Sequence, residues 1–160
     1  MDHPAEPCVF CRIVRQPDHV DHEVIYDDRE HIAFLGKKPN TVGGTVLITK
    51  GPYGSDLLTL PIPVLSGLMA AAVEVNKLLT RAFRDVDRVA VAGEGYGVAH
   101  AHFRLFPLHG TRDADTGQRI VIRSQCTDFY PAYEGFLRTN DAGPADRAEL
   151  RAVAGIIRAA

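Results

Sequence analysis

A chain of 160 residues with 46% apolar and 24% charged side chains has the size and composition of one soluble domain able to bury its own core. Its formal charge of −2 excludes the basic surface that a nonspecific nucleic-acid binder needs. No apolar run reaches the roughly 18 residues that cross a membrane, so neither nucleic acid nor membrane is expected as a partner.

The N-terminal Met1-Asp2-His3-Pro4-Ala5-Glu6 has neither the basic start nor the apolar run of a signal peptide, and three cysteines are too few for a secreted disulfide framework. The expected compartment is the cytoplasm. Cys8-Val9-Phe10-Cys11 opens the ordered part. Two thiolates at this spacing bind one zinc from a turn; a redox pair or two structural thiols are the other readings, although no βαβ unit follows. Residues 23–26 and 31–35 are short β-rich runs around the charged turn Asp27-Asp28-Arg29-Glu30, a hairpin pattern. Lys37-Lys38-Pro39-Asn40 reads as a loop, and Gly43-Gly44 leads into a third strand over 45–49.

Residues 61–84 carry Val64, Leu65, Leu68, Met69, Ala72, Val75 and Leu79 at three- and four-residue steps, which predicts a long helix with one core-facing stripe. Thr59 is the expected N-cap, with prolines at the helix start. A fourth strand is predicted over 88–92 and a fifth over 100–107. A further strand is expected over 119–123, irregular chain over 131–144, and a helix over 145–160 with Leu150, Val153, Ile156 and Ile157 on one stripe.

The chemistry concentrates at His100-Ala101-His102-Phe103-Arg104-Leu105-Phe106-Pro107. Alternation places His100, His102 and Arg104 on one face of a strand. A neutral imidazole attacks phosphorus, and a guanidinium offers a fixed fork of donors to phosphoryl oxygens. The plain alternative is an edge strand with a polar solvent face. Just upstream, Gly93, Gly95 and Gly97 alternate with Glu94 and Tyr96, a segment whose backbone amides can approach an anion closely.

These residues resemble the active-site strand of the histidine-triad (HIT) superfamily, His-x-His-x-His-x-x, often followed by proline. His100, His102 and Pro107 match, and Arg104 stands in place of the third histidine. Cys8-Val9-Phe10-Cys11-Arg12-Ile13 is similar to the Cys-x-Phe-Cys-x-Ile of one zinc-binding branch, and the likeness runs collinearly from Cys8 to about His109. It implies an α+β fold: a twisted antiparallel sheet of about five strands with one long helix. Residues 1–110 would form the HIT-like domain and 111–160 a C-terminal extension packing on it. Homodimers are implied as well.

By the same resemblance His102 is the nucleophile, attacking the α-phosphorus of a nucleotide or nucleotide conjugate to give a nucleotidyl-histidine. Water or another acceptor then takes the nucleotide. Cys8, Cys11 and His100 match three of four zinc ligands. The fourth would lie near residues 50–53, which hold no histidine, leaving Asp56, His3, His22 or a water to complete the shell, or the metal lost altogether. Arg104 is expected to stabilise phosphoryl charge, and because it cannot release a proton, His109 is the candidate donor to the leaving group, or acidic leaving groups dispense with one. Gly95, Tyr96 and Gly97 would face the substrate, although Tyr96 and Gly97 replace the family's Gln and hydroxylic residue. Phe34 and Tyr26 line a base pocket or belong to the core. Gly36 replaces the ribose-binding Asp, and Lys37 and Lys38 reach phosphates or are merely solvated. The expected activity is that of a nucleotide hydrolase or nucleotidyltransferase. A noncatalytic nucleotide-binding module and a structural protein retaining the fold are the alternatives.

Overall fold

The computed structural model describes residues 8–16 and 23–128, together with positions 135, 137, 146, 148 and 156–158. The chain divides into two compact units, 1–121 and 122–160. The first unit extends past the expected boundary at residue 110.

Unit one is built on a five-stranded antiparallel sheet: β1 (Val24–Asp27), β2 (His31–Leu35), β3 (Thr45–Thr49), β4 (Val89–Ala92) and β5 (His102–Pro107), in the order β1-β2-β3-β5-β4. A short turn joins β1 to β2 and a nine-residue loop, 36–44, joins β2 to β3, while the longer excursion between β3 and β4 carries the helix. In register, Ile48 faces His102, Leu47 faces Phe103 and Val46 faces Arg104. Alternation therefore gives the two faces different fates.

One face, with Ala33, Leu47, Phe103 and Leu105, packs against Leu68, Ala71, Ala72, Val75 and Leu79 of α2 (Ile62–Ala82). The other, with Ile32, Phe34 and Ile48, packs against Phe10 and Ile13 of α1 (Val9–Arg15). Both faces of the central strands are thus buried, and β2 reads as an almost continuous buried run. By length and composition alone α2 could cross a membrane; here its buried stripe is packed on the sheet. Its opposite side leaves Ile62, Met69 and Val73 exposed.

Several local expectations change. The cysteine motif opens a helix, with Cys8 as its N-cap and Cys11 in its first turn, rather than the expected turn. Pro61, not Thr59, caps α2: the Val64 and Leu65 amides donate to the Pro61 carbonyl, while the Thr59 hydroxyl donates to that of Asp56. The fifth strand begins at His102, because the His100 amide turns back to the Val98 carbonyl instead of joining the ladder. Residues 119–123 form no strand. Arg119 makes one isolated bridge to Arg112, and Ile120, Val121 and Ile122 are exposed.

In the second unit the described positions are mostly exposed. The Cys126 amide donates to the Ser124 hydroxyl, and positions 148 and 156–158 are helical, with Ile156 and Ile157 exposed. Leu150 and Val153, and most of the segments expected to be irregular or helical, lie outside the described residues.

Candidate active site and metal centre

His102 opens β5 on the face covered by α1. Its Nδ1 lies 2.7 Å from the His100 carbonyl oxygen. A carbonyl only accepts, so Nδ1 carries the proton and the lone pair is left on Nε2. Among the described residues nothing hydrogen-bonds to Nε2. The Phe10 ring meets the imidazole edge-on at 5.3 Å, leaving His102 only 6% exposed. The ring is therefore fixed in orientation and tautomer before any ligand arrives.

His100 works through both of its ends. Its Nε2 lies 2.7 Å from the Thr49 carbonyl, which fixes the proton there and leaves Nδ1 to face the thiols. Cys11 Sγ stands 3.4 Å and Cys8 Sγ 3.7 Å from that Nδ1, and the three ligand atoms lie within 4.8 Å of one another. Zinc–sulfur bonds of about 2.3 Å and zinc–nitrogen bonds of about 2.0 Å at a tetrahedral angle put such atoms about 3.6 Å apart. The donor set, the spacing and the anchored imidazole all fit zinc. Burial, and then the Cys8 sulfur, push the Cys11 thiol above its ordinary pKa, and a dication would relieve two thiolates held this close.

No fourth His, Cys, Asp or Glu joins this group among the described residues. Asp56 does not: its Oδ1 accepts from the Leu58 amide and caps the 3-10 helix Leu57–Thr59. His3 and His22 lie outside the described residues.

Arg104, two residues along β5, shares His102's face and is the one exposed member of the three. Its guanidinium stacks over Phe106 at 4.9 Å, and Nη1 lies 3.8 Å from Glu94 Oε1. Only 13% of the Glu94 side chain is exposed. The glycines around it are structural. A Cβ on Gly95, whose φ is +72°, would stand 2.7 Å from the Ser55 carbonyl oxygen. Gly95→Ala is expected to destabilise the fold by about 1–3 kcal/mol, read by chemical denaturation, because backbone rather than a movable side chain blocks the methyl. Tyr96 is exposed, and a Cβ on Gly97 would meet nothing within 4 Å, so these two border open space.

The remaining candidates do not converge here. Phe34 is on the correct face but is 2% exposed, wedged edge-on against Phe10 at 5.8 Å, and is core. Tyr26 packs on the α2 face, with its hydroxyl donating to Asp28 at 2.6 Å. That bond pushes the phenol up to about 12. Burial would raise Asp28, but bonds from Tyr26, the Glu30 and His31 amides and the His31 ring outweigh it and hold the carboxyl at about 2. A cleft of about 210 Å³ lined by His31, Thr49, Lys50, Tyr53 and Val64 also opens on that side, away from His102.

His109 lies past the opposite end of β5. Nδ1 meets the Asp85 carboxylate at 3.1 Å and Nε2 the Val42 carbonyl at 3.0 Å. Both nitrogens are occupied as donors, so the expected proton donor is instead a clamp joining three loops. The Val42 carbonyl raises its pKa above 6.5 against the opposing effect of burial, and the Asp85 carboxylate adds to the rise. A raised folded value means the clamp contributes fully below pH 6.5 and fades as pH rises through it. The melting-temperature gap between wild type and His109→Gln is expected to be larger at pH 5.5 than at pH 8.5; equal gaps would exclude the imidazolium.

No family model matches the chain. An uncharacterised HIT-like protein of Saccharolobus solfataricus is 27% identical over 131 residues, 79% of this chain and 91% of the relative. Among solved structures, a Streptococcus mutans protein superposes with a TM-score of 0.67 at 23% identity, covering 99% of this chain and 87% of the other. A zinc-bound histidine-triad family protein of Mycobacterium smegmatis gives 0.54 at 26% identity, covering 69% and 79%. A HIT family hydrolase of Legionella pneumophila shares the fold at 0.51 and 18% identity, covering 65% and 95%. The chain therefore has the HIT-like fold, and over most of its length it is similar in sequence to a HIT-like protein.

Proposed function

We propose that this protein is a nucleotide hydrolase or nucleotidyltransferase in which His102 forms a covalent nucleotidyl-histidine. The observation that carries this reading is the 2.7 Å bond from His102 Nδ1 to the His100 carbonyl, which leaves the Nε2 lone pair as the nucleophile. Attack of Nε2 on the α-phosphorus puts positive charge on the ring. The His100 carbonyl, still accepting from Nδ1–H, stabilises that charge. Arg104, on the same face, holds the phosphoryl oxygens and offsets the charge that develops on them.

Zinc held by Cys8, Cys11 and His100 would act structurally, fastening α1 to the chain just before β5. The zinc-bound relative and the spacing of the three donors support it. A homodimer would use the exposed side of α2 and the edge strand β4.

The test is intact-protein mass spectrometry after brief mixing with a nucleoside monophosphate ester and a neutral quench, because a phosphohistidine-type bond breaks in acid. Addition of one nucleoside monophosphate mass, mapped to His102, is the expected result. Turnover with no adduct in wild type and undiminished turnover in His102→Asn would overturn the reading.

A further inference from the structure

His31 opens β2 on the sheet face that α2 covers, across from His102, and only 8% of its side chain is exposed. Its Nδ1 meets both oxygens of Asp28 at 3.2 Å. That carboxyl, held at about 2, is ionised and only accepts, so Nδ1 carries a proton and Nε2 is the nitrogen left over. Among the described residues nothing hydrogen-bonds to Nε2.

The helix leaves this nitrogen uncovered. Gly67 lies in the second turn of α2, where glycine is a poorer helix former than alanine. A Cβ there would come 3.4 Å from His31 Cε1 and 3.5 Å from Nε2, ordinary contact, and would meet no other atom beyond the helix's own backbone. Packing therefore admits alanine, and glycine keeps the space in front of the ring open. Val64, one turn earlier on α2, lines with His31 the cleft of about 210 Å³. One water needs only roughly 10–15 Å³.

We propose that this cleft binds a small oxyanion of the phosphate type, with His31 as its inner donor. The walls carry more unspent donors than acceptors. Arg29 lines the cleft with no hydrogen bond or ion pair among the described residues. Lys50 Nζ pairs with Asp27 and donates to the Asp28 carbonyl, which leaves one of its three hydrogens. Glu30 is the one acidic residue among those lining the cleft, while Val64 and Gly67 bring no charge from α2. A phosphate extends the line from Tyr26 through Asp28 and His31: Nδ1 donates to the carboxylate and Nε2 to the phosphate. The proton on Nε2 comes from solvent or from the phosphate monoanion itself. Because the cleft faces away from His102, the assignment stands independently of the function proposed above.

The experiment titrates protein carrying ¹⁵N-labelled histidine with inorganic phosphate at constant ionic strength and follows the His31 ring by NMR, with His31→Gln identifying its signals. A saturable shift is expected, and it should persist in His102→Asn. Gly67→Ala should raise the melting temperature of the phosphate-free protein, because alanine suits a helix better, and weaken phosphate binding about tenfold or more by covering Nε2. Arg29→Gln should weaken it about two- to fivefold. Signals that stay put would leave water as the sole occupant and overturn the site. A drift that chloride reproduces, a response lost in His102→Asn, or undiminished affinity in either cleft variant would overturn it too. So would a lower melting temperature for Gly67→Ala, which would show that the glycine serves packing.

Discussion

Replacing His102 by asparagine is expected to lower kcat by roughly a thousandfold or more while leaving the protein folded and able to hold its metal. Asparagine is chosen because its amide can still donate to the His100 carbonyl that His102 Nδ1 meets in wild type. The variant therefore avoids stranding a buried carbonyl, which would cost about 1–3 kcal/mol and confuse loss of chemistry with loss of fold. What disappears is the Nε2 lone pair. Loss of a covalent nucleophile commonly costs several powers of ten, because the groups left behind stabilise the transition state of a step that no longer takes place. The candidate zinc ligands are Cys8, Cys11 and His100, none of them changed, so the metal content should match wild type. Steady-state turnover, intact mass and metal analysis on the same preparation check the prediction. A variant that folds, holds metal and turns over normally would show that His102 only fills space under Phe10.

The neighbours of His102 show which parts of this arrangement were legible beforehand. Strand β3, Thr45–Thr49, was readable because its β-branched run is bounded by glycines, and α2 because its apolar steps repeat over many turns. Helix α1 has only seven residues, too few for a periodic signal to stand out beside a conspicuous cysteine pair. Phe10, Ile13 and Val14 nevertheless carry the three- and four-residue spacing that could have revealed it.

Of the two readings open for Tyr26, base pocket or core, the second holds, and local chain geometry decides which side it packs on. The β1–β2 register shifts between Val24 and Tyr26, which pair with Phe34 and Ala33 respectively, and a bulge changes which face a side chain takes. Alternation counted along the sequence cannot register that extra residue. The Glu94–Arg104 pair and the His109 clamp are non-local: each joins segments whose approach depends on the sheet order, which no local pattern encodes. The His100–Pro107 segment was therefore visible, whereas the ion pairs of Arg104 and His109 became visible only in three dimensions.

Cys11→Ser is expected to abolish stoichiometric zinc and to lower the melting temperature by several degrees. Only three protein donors, all within 4.8 Å of one another among the described residues, leave little redundancy, and a hydroxyl is a poor substitute for a thiolate on zinc. Altering an outer-shell partner costs a metal site roughly 10- to 100-fold in affinity, so removing a ligand outright should exceed that. The stability effect follows from what the metal joins. A seven-residue helix has no independent stability, so α1 stays in place through Phe10, Ile13 and whatever fastens its first turn to His100. Release of α1 would uncover Phe34 and Ile48 and remove the Phe10 ring from His102, so activity should fall with the metal although no catalytic atom has changed. Because the Cys11 thiol lies above its ordinary pKa, its deprotonation on binding zinc should release a proton, and zinc affinity should weaken as pH falls. Metal analysis, thermal melts with and without chelator, and zinc titrations at two pH values check the chain of effects. Wild-type protein without zinc after growth in zinc-replete medium, together with a melt that neither chelator nor Cys11→Ser shifts, would leave His100 as a packing residue and α1 held by hydrocarbon alone.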